Sequence, residues 1–452
     1  MKRNASEKLD EWLTKEDRKP LVIRGARQVG KTWIVRDLAK RAKRDLVEVN
    51  FEWNPAFADH FTALNPKDIL KNLGAELGRR IDPSSALLFL DEIQAAPEIL
   101  SKLRWFREQL PGLPVIAAGS LLEFVLAEHS FSMPVGRISY LHLEPLSFLE
   151  FAMATGNIPL VEAMTDTSPD RPLNDALHTK CIGLYRAYCL SGGMPESVKV
   201  WQDSADPGAC LSVQQDLLAT YNDDFHKYGK NISRLQKTLR SISEQLGNKF
   251  VASRAEEGTA SQEIKKALEL LCKARVASLV RHSAGNGIPL GAEGNERLFK
   301  VLLLDIGLVA AQLGLARMRP EDVDRLVFQN KGAMAEQFAG QQLRFALADQ
   351  GMPELHYWQR TGGRQGEVDY LIQSGGSIVP VEVKSGTAGS MKSLHQFMFD
   401  KHLETAVRFD MNNFSTMELD VKTTQGDQVQ YTLHSIPIYL AERVFGILHD
   451  IG

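Results

Sequence analysis

The run Gly25-Ala26-Arg27-Gln28-Val29-Gly30-Lys31-Thr32 has the residue types and spacing of a phosphate-binding loop. An apolar run at 21–23 leads into it and a helical pattern at 33–40 leads out. In that setting the main-chain N–H groups at the helix start would surround the β-phosphate of a nucleotide. Lys31 would reach the β- and γ-phosphates, and the Thr32 hydroxyl would bind Mg2+. Gly25 and Gly30 let the backbone turn tightly. Downstream, Asp91 and Glu92 close the apolar run at 87–90. A carboxylate pair there is expensive to desolvate unless it has a role. Asp91 is expected to hold the Mg2+ shell, and Glu92 to orient and polarise the attacking water. Ser120 ends the next apolar run, 115–118, and is placed to sense the γ-phosphate or the water; a simple Gly-Ser turn is the alternative. Arg137, after Gly136, would enter a neighbouring subunit's site and stabilise transition-state charge. A local ion pair is its alternative. The cofactors expected are ATP and Mg2+.

A second set of residues implies different chemistry. Glu367 and Asp369 share one face of a strand, and so do Glu382 and Lys384. Glu336 lies on the preceding helical stretch. Asp369 and Glu382 are expected to bind a metal, Mg2+, with Glu336 completing its shell and Lys384 near the attacking water or the phosphate charge. Gln396, on the next helix, is a further polar candidate. Alternating charges are also the ordinary solvated face of an edge strand. These residues do not separate a domain that cuts nucleic acid from one that only holds it.

A third set is basic. Lys265, Lys266, Lys273 and Arg275, with Arg281, would meet DNA phosphates if a recognition helix sits there. Lys227, Lys230, Arg234, Lys237 and Arg240 follow the same logic, as do Arg360 and Arg364. Together they would make DNA affinity fall steeply with salt. Lysines on an amphipathic helix are equally its solvated face. Tyr357 and Trp358 are read as core, with base stacking the alternative.

These candidates need elements to position them. Apolar runs at 21–23, 46–51, 86–90, 115–118 and 138–143 alternate with helical patterns, as in a parallel sheet covered on both faces. The fold class is therefore α/β. Four segments are expected: a nucleotide-binding domain over 1–150, a small helical lid over 151–202, a helical and winged-helix part over 203–323, and an α/β domain over 324–452. The winged helix-turn-helix rests on a capped amphipathic helix beginning near 261, then a strand, a Gly-rich turn and a second strand at 298–305.

The segments GARQVGKT, FLDEIQ, AGS and GRISYLHLEPLSFLEF resemble the P-loop AAA+ superfamily of ATPases. More narrowly, the chain resembles a bacterial and archaeal group that pairs an AAA-type domain with an uncharacterised C-terminal region. Ser191-Gly-Gly-Met-Pro195, Phe299-Lys300 with Asp305, Gly307 and Leu308, and Gly366-Glu-Val-Asp369 with Val381-Glu-Val-Lys384 carry that likeness. Asp369 and Glu382-Val-Lys384 also resemble the PD-(D/E)xK, restriction-endonuclease-like fold. The resemblance implies a homo-oligomer, most often a ring of six. In many AAA+ proteins the lid supplies a second sensor arginine; here only Arg186 stands near.

Composition bounds the rest. The chain has 452 residues, 53 basic and 56 acidic, a near balance that excludes a histone-like coat for nucleic acid. It holds no run of 18 apolar residues, so no membrane partner is expected. The start lacks a signal-peptide pattern, and the four cysteines form no CxxC pair, which points to a cytoplasmic setting. The expected function is an ATP-hydrolysing motor that translocates or remodels duplex or branched DNA, such as four-way (Holliday) junctions in branch migration. Nuclease activity would be coupled to it if the C-terminal site cuts. The alternative is a nucleotide-dependent switch that binds a protein partner and carries a degenerate nuclease-like module.

Overall fold

The N-terminal apolar runs form five strands: β1 (Leu21–Arg24), β2 (Asp45–Asn50), β3 (Ala86–Asp91), β4 (Val115–Gly119) and β5 (Ser139–His142). Their order is β2-β3-β4-β1-β5, and every neighbouring pair is parallel. The computed structural model describes residues 1–120, 122, 136–228, 231–315, 331–348, 353–360, 366–386 and 390–451. Lys230 and Arg364 lie outside the described residues. The chain divides into two units, Met1–Pro145 with Lys273–Arg275, and Leu146–Cys272 with Val276–Gly452.

In the first unit, β3 and β4 are buried at every position. Such strands must be covered on both faces, which explains their uninterrupted apolar sequence. The longer helices described beside the sheet are α1 (Asn4–Thr14), α2 (Lys31–Arg41), α3 (Pro66–Glu76) and α4 (Leu103–Gln109). Val47, Val49, Leu88, Leu90 and Ala117 pack with Phe51, Phe61 and Phe106 in one core. Because β1, β4 and β3 are adjacent and parallel, the residues that follow them emerge at one edge of the sheet. The sequence loop, Ser120 and Asp91 are thereby brought together.

The second unit begins with helices: α5 (Phe148–Ala154), α6 (Ile158–Thr165), α7 (Asp175–Ser191), α8 (Pro195–Ser204), α9 (Pro207–Tyr228), α10 (Ile232–Glu244) and α11 (Ser261–Lys273). Next come β6 (Ala277–His282), β7 (Phe299–Leu303), α12 (Ile306–Gln312), α13 (Lys331–Leu347), β8 (Leu355–Gln359), β9 (Glu367–Ser374) and β10 (Ser377–Val383). The chain ends with α14 (Lys392–Lys401), β11 (Thr405–Asp410), β12 (Ser415–Lys422), β13 (Gln428–Pro437) and α15 (Val444–Ile451). The strands form one mixed sheet in the order β12-β13-β11-β10-β9-β8-β6-β7.

This arrangement revises the expected segments. The helix, strand, Gly-rich turn and strand of a winged helix occur in order, but the strand pair is not a separate module. β6 pairs in parallel with β8, Val280 opposite Leu355 and His282 opposite Tyr357. One sheet therefore crosses the boundary expected at 323/324. A two-stranded wing leaves main-chain donors and acceptors unpaired at its edges, and pairing with β8 satisfies one edge. The helices expected as a lid over 151–202 also share the core of this unit. Phe148 on α5 meets Tyr188 on α7 and Phe338 on α13, each at 5.9 Å between ring centroids.

Two motifs of the sequence meet inside this unit. Asp305, fully buried, accepts from Gly193 N–H at 2.7 Å, from Gly307 N–H at 2.9 Å and from Gln341 Nε2 at 3.1 Å. Gly192 has φ +67°, and a Cβ there would fall 1.9 Å from Asp305 Oδ1. Leu146 N–H donates to Gly193 carbonyl at 2.6 Å. Ser191-Gly-Gly-Met-Pro195 and Asp305-x-Gly307 are thus the two halves of a buried joint.

Candidate functional site

The phosphate-binding loop spans the link from β1 to α2. Gly30 takes φ +96°, the left-handed turn that starts α2. Gly25 lies so near the chain after β5 that a Cβ would come 2.3 Å from the Leu143 carbonyl oxygen. Buried Arg3 donates to Val29 carbonyl at 3.2 Å and to Glu144 carbonyl at 2.7 Å, pinning the loop. No motif marks this arginine, and the sequence reading missed it. Lys31 is buried, and its Nζ donates to the carbonyls of Gly25 at 3.1 Å and Ala26 at 2.7 Å.

The acidic side of the cleft is equally ordered. Thr32 Oγ1 donates to Asp91 Oδ2 at 3.0 Å. Asn50 Nδ2 donates to the same oxygen at 3.4 Å. Burial, with help from the neighbouring Glu92 charge, pushes the Asp91 carboxyl up to about 6. Glu92 has φ +51°, and its Oε2 accepts from Gln94 Nε2 at 2.6 Å. Gln94 also donates to Glu52 Oε1 at 3.2 Å, so it sets the orientation of Glu92. Ser120 is buried, and among the described residues its Oγ has no hydrogen-bond partner. Ser120, Lys31, Thr32 and Glu92 line one cleft of about 330 Å³.

These residues fit a metal nucleotide. A hydroxyl and a carboxylate, already in contact, are the oxygen donors that Mg2+ takes. The unpaired Ser120 hydroxyl lacks a partner that a phosphate oxygen would supply. Arg137 does not line this cleft. It follows Gly136 (φ +72°), is half exposed, and lies 3.6 Å from Glu108 Oε1. Within one chain it makes the local ion pair.

The second expected site is arranged differently from its sequence reading. The carboxylates gathered around one point are Glu336, Glu367 and Asp369, and Lys300 of β7 lies among them. Lys300 Nζ is 3.0 Å from Glu336 Oε2 and 3.8 Å from Asp369 Oδ1, and it pairs with Glu367. The other Asp369 oxygen accepts from Val383 N–H at 2.7 Å. Glu382 is paired instead with Lys384 at 2.5 Å. Its Oε2 is buried with no partner among the described residues, and burial followed by the Asp369 charge raises its pKa. Burial likewise raises Glu336. The expected metal pair of Asp369 and Glu382 is thus not the set that surrounds a cation here. Gln396 donates to Asp400 at 2.8 Å and accepts from the Thr424 hydroxyl at 3.2 Å.

Most of the basic candidates are engaged. Lys266 pairs with Glu263 at 2.9 Å, and Arg234 with Glu256 at 3.2 Å and Glu263 at 2.9 Å. Lys237 pairs with Glu256, Arg240 with Glu244, and Arg360 with Asp400. Arg275 is a correction. It is buried, with its guanidinium 2.7 Å from His142 Nδ1 and 3.8 Å from Glu144, so it presents no charge to phosphate. Lys265 and Lys273 are exposed. Tyr357 and Trp358 are buried, as the core reading expects.

Residues 17–152 match the AAA domain family, so the N-terminal unit holds an AAA-type P-loop ATPase domain. Residues 182–319 and 331–427 match two domains of unknown function (DUF8612 and DUF4143). No curated protein matches the sequence. Among solved structures, Aeropyrum pernix ORC2 protein in ADPNP–ADP complexes is 15% identical, covering 69% of this chain and 93% of that one, with a TM-score of 0.33. Drosophila ORC bound to DNA is 14% identical, covering 70% and 95%, with a TM-score of 0.28. A Pyrococcus horikoshii signal transduction ATPase with a tetratricopeptide repeat sensor is 13% identical, covering 75% and 46%, with a TM-score of 0.25. No helix among the described residues is long and apolar enough to cross a membrane.

Proposed function

We propose that this chain hydrolyses ATP with Mg2+ in the cleft between Lys31 and Ser120. The buried Ser120 hydroxyl, without a partner among the described residues, is the observation that carries this reading. Lys31 exchanges its two carbonyl acceptors for β- and γ-phosphate oxygens. Thr32 and Asp91 hold Mg2+, which when bound neutralises charge on the phosphates. Glu92, held by Gln94, orients the attacking water, and Ser120 donates to the γ-phosphate or to that water. Arg137 serves a neighbouring copy of the chain in a ring, breaking its exposed pair with Glu108. ATP turnover by the purified protein tests the reading. Lys31→Ala is expected to abolish nucleotide binding and Glu92→Gln to retain ATP without turnover. Full turnover in both variants refutes the assignment.

A second reading adds DNA as the object of the engine, through translocation or remodelling of duplex or four-way junctions. Exposed Lys265 and Lys273 on α11 support it. The paired state of Arg234, Lys237, Lys266 and Arg275 favours instead a nucleotide-dependent switch with a protein partner. Turnover measured with single-stranded, duplex and four-way-junction DNA separates them. Stimulation that declines with salt supports DNA, and flat turnover supports the switch.

A further inference from the structure

The acidic group of the second unit presents an unusual balance. Its three carboxylates, on α13 and β9, each place an oxygen within 4.8 Å of the others. Three ionised acids at that spacing repel one another strongly unless a cation joins them. Oxygen ligands at such spacing can surround a divalent ion. Yet the Lys300 side chain, only 3% exposed, already delivers its ammonium to all three acids. The ammonium donates to Glu336 Oε2 at 3.0 Å and pairs with Glu367, while Asp369, at 3.8 Å, is held by charge alone. The Tyr357 ring completes the enclosure, 5.3 Å from Nζ to its centroid. Tyr370 adds a second fastening, its hydroxyl donating to Glu336 carbonyl at 2.8 Å.

We infer that the cation of this cluster is supplied by the chain itself: the Lys300 ammonium occupies the place among Glu336, Glu367 and Asp369 that a divalent metal would take. Lys300 then locks β7, β9 and α13 together without a metal. A divalent ion at the same point would sit in contact with a buried like charge, which excludes joint occupancy. The neighbouring Glu382–Lys384 pair repeats the device, a lysine answering a buried acid. This inference stands apart from the nucleotide reading, because every residue in it belongs to the second unit.

The test is Mn2+ titration of nucleotide-free, full-length protein, read by electron paramagnetic resonance. Wild type and Asp369→Asn are expected to bind Mn2+ alike. Lys300→Met is expected to gain a Mn2+ site roughly tenfold tighter or more, and Lys300→Met with Glu367→Gln to lose that gain. A wild-type Mn2+ site removed by Asp369→Asn overturns the inference. So does a folded Lys300→Met protein with no added Mn2+ affinity. If Lys300→Met does not fold, thermal unfolding of wild type decides. The same midpoint in EDTA and in Mn2+ supports the inference, and a Mn2+-dependent rise that Asp369→Asn cancels overturns it.

Discussion

Lys31 and Lys300 are both buried lysines set near carboxylates, and their surroundings give them opposite uses. Lys31 donates to two neutral carbonyls beside a cleft of about 330 Å³. Neutral acceptors are readily exchanged for phosphate oxygens, which bind an ammonium more strongly. Lys300 is ion-paired with three acids, so its charge is already answered within the fold. The acids differ in the same way. Asp91 meets a threonine hydroxyl and an asparagine amide, whereas Glu336, Glu367 and Asp369 meet a full positive charge. The hydrogen-bond donors that reach Asp91 are neutral groups. A structural cluster brings its own cation.

Substitutions that exchange these surroundings probe the difference. Lys31→Ala has the largest expected effect on activity, a fall in ATP turnover on the order of 10²–10³-fold or more, with the thermal midpoint of unfolding little changed. Lys300→Met reverses that profile. It leaves three acids uncompensated and is expected to lower stability by roughly 3–5 kcal/mol in denaturant titrations. Comparable losses of stability from both substitutions would erase the contrast. Asp305→Asn turns an amide N–H toward the Gly193 or Gly307 N–H, and about 1–3 kcal/mol of stability is expected to go, with nucleotide affinity unchanged.

The smallest effect is one of pH. Glu442 accepts from Leu149 N–H at 3.3 Å, and burial pushes its carboxyl up to about 7. The unfolded chain releases this proton first, near the ordinary glutamate range. The folded chain holds it until about pH 7, so stability falls as pH rises through that window. The melting midpoint of wild type is expected to drop across it more than that of Glu442→Gln. Parallel pH profiles of the two proteins would rule this out.

The nucleotide site was legible because its residues act through local sequence. The loop, the acids after β3 and Ser120 after β4 each sit at the end of an apolar run, and a parallel sheet gathers such ends. All five N-terminal strands fall within a residue or two of their apolar runs for the same reason. The C-terminal site was only half legible. Period-two spacing found Glu367, Asp369 and Glu382, but nothing local linked Lys300 to them, since two strands separate β7 from β9 in the sheet. The isolated wing failed for a related reason. Strand order is a long-range property, and β6 reads the same whether it closes a hairpin or joins β8. Arg3 and Arg275 were illegible or misleading because an arginine's charge in the sequence says nothing of its burial.

The most direct measurement is the number of Mn2+ ions bound per chain at saturating ATP. One ATP-dependent ion, lost with Lys31→Ala and indifferent to Asp369→Asn, is the predicted result. A second ion that needs no ATP and disappears with Asp369→Asn would contradict the account.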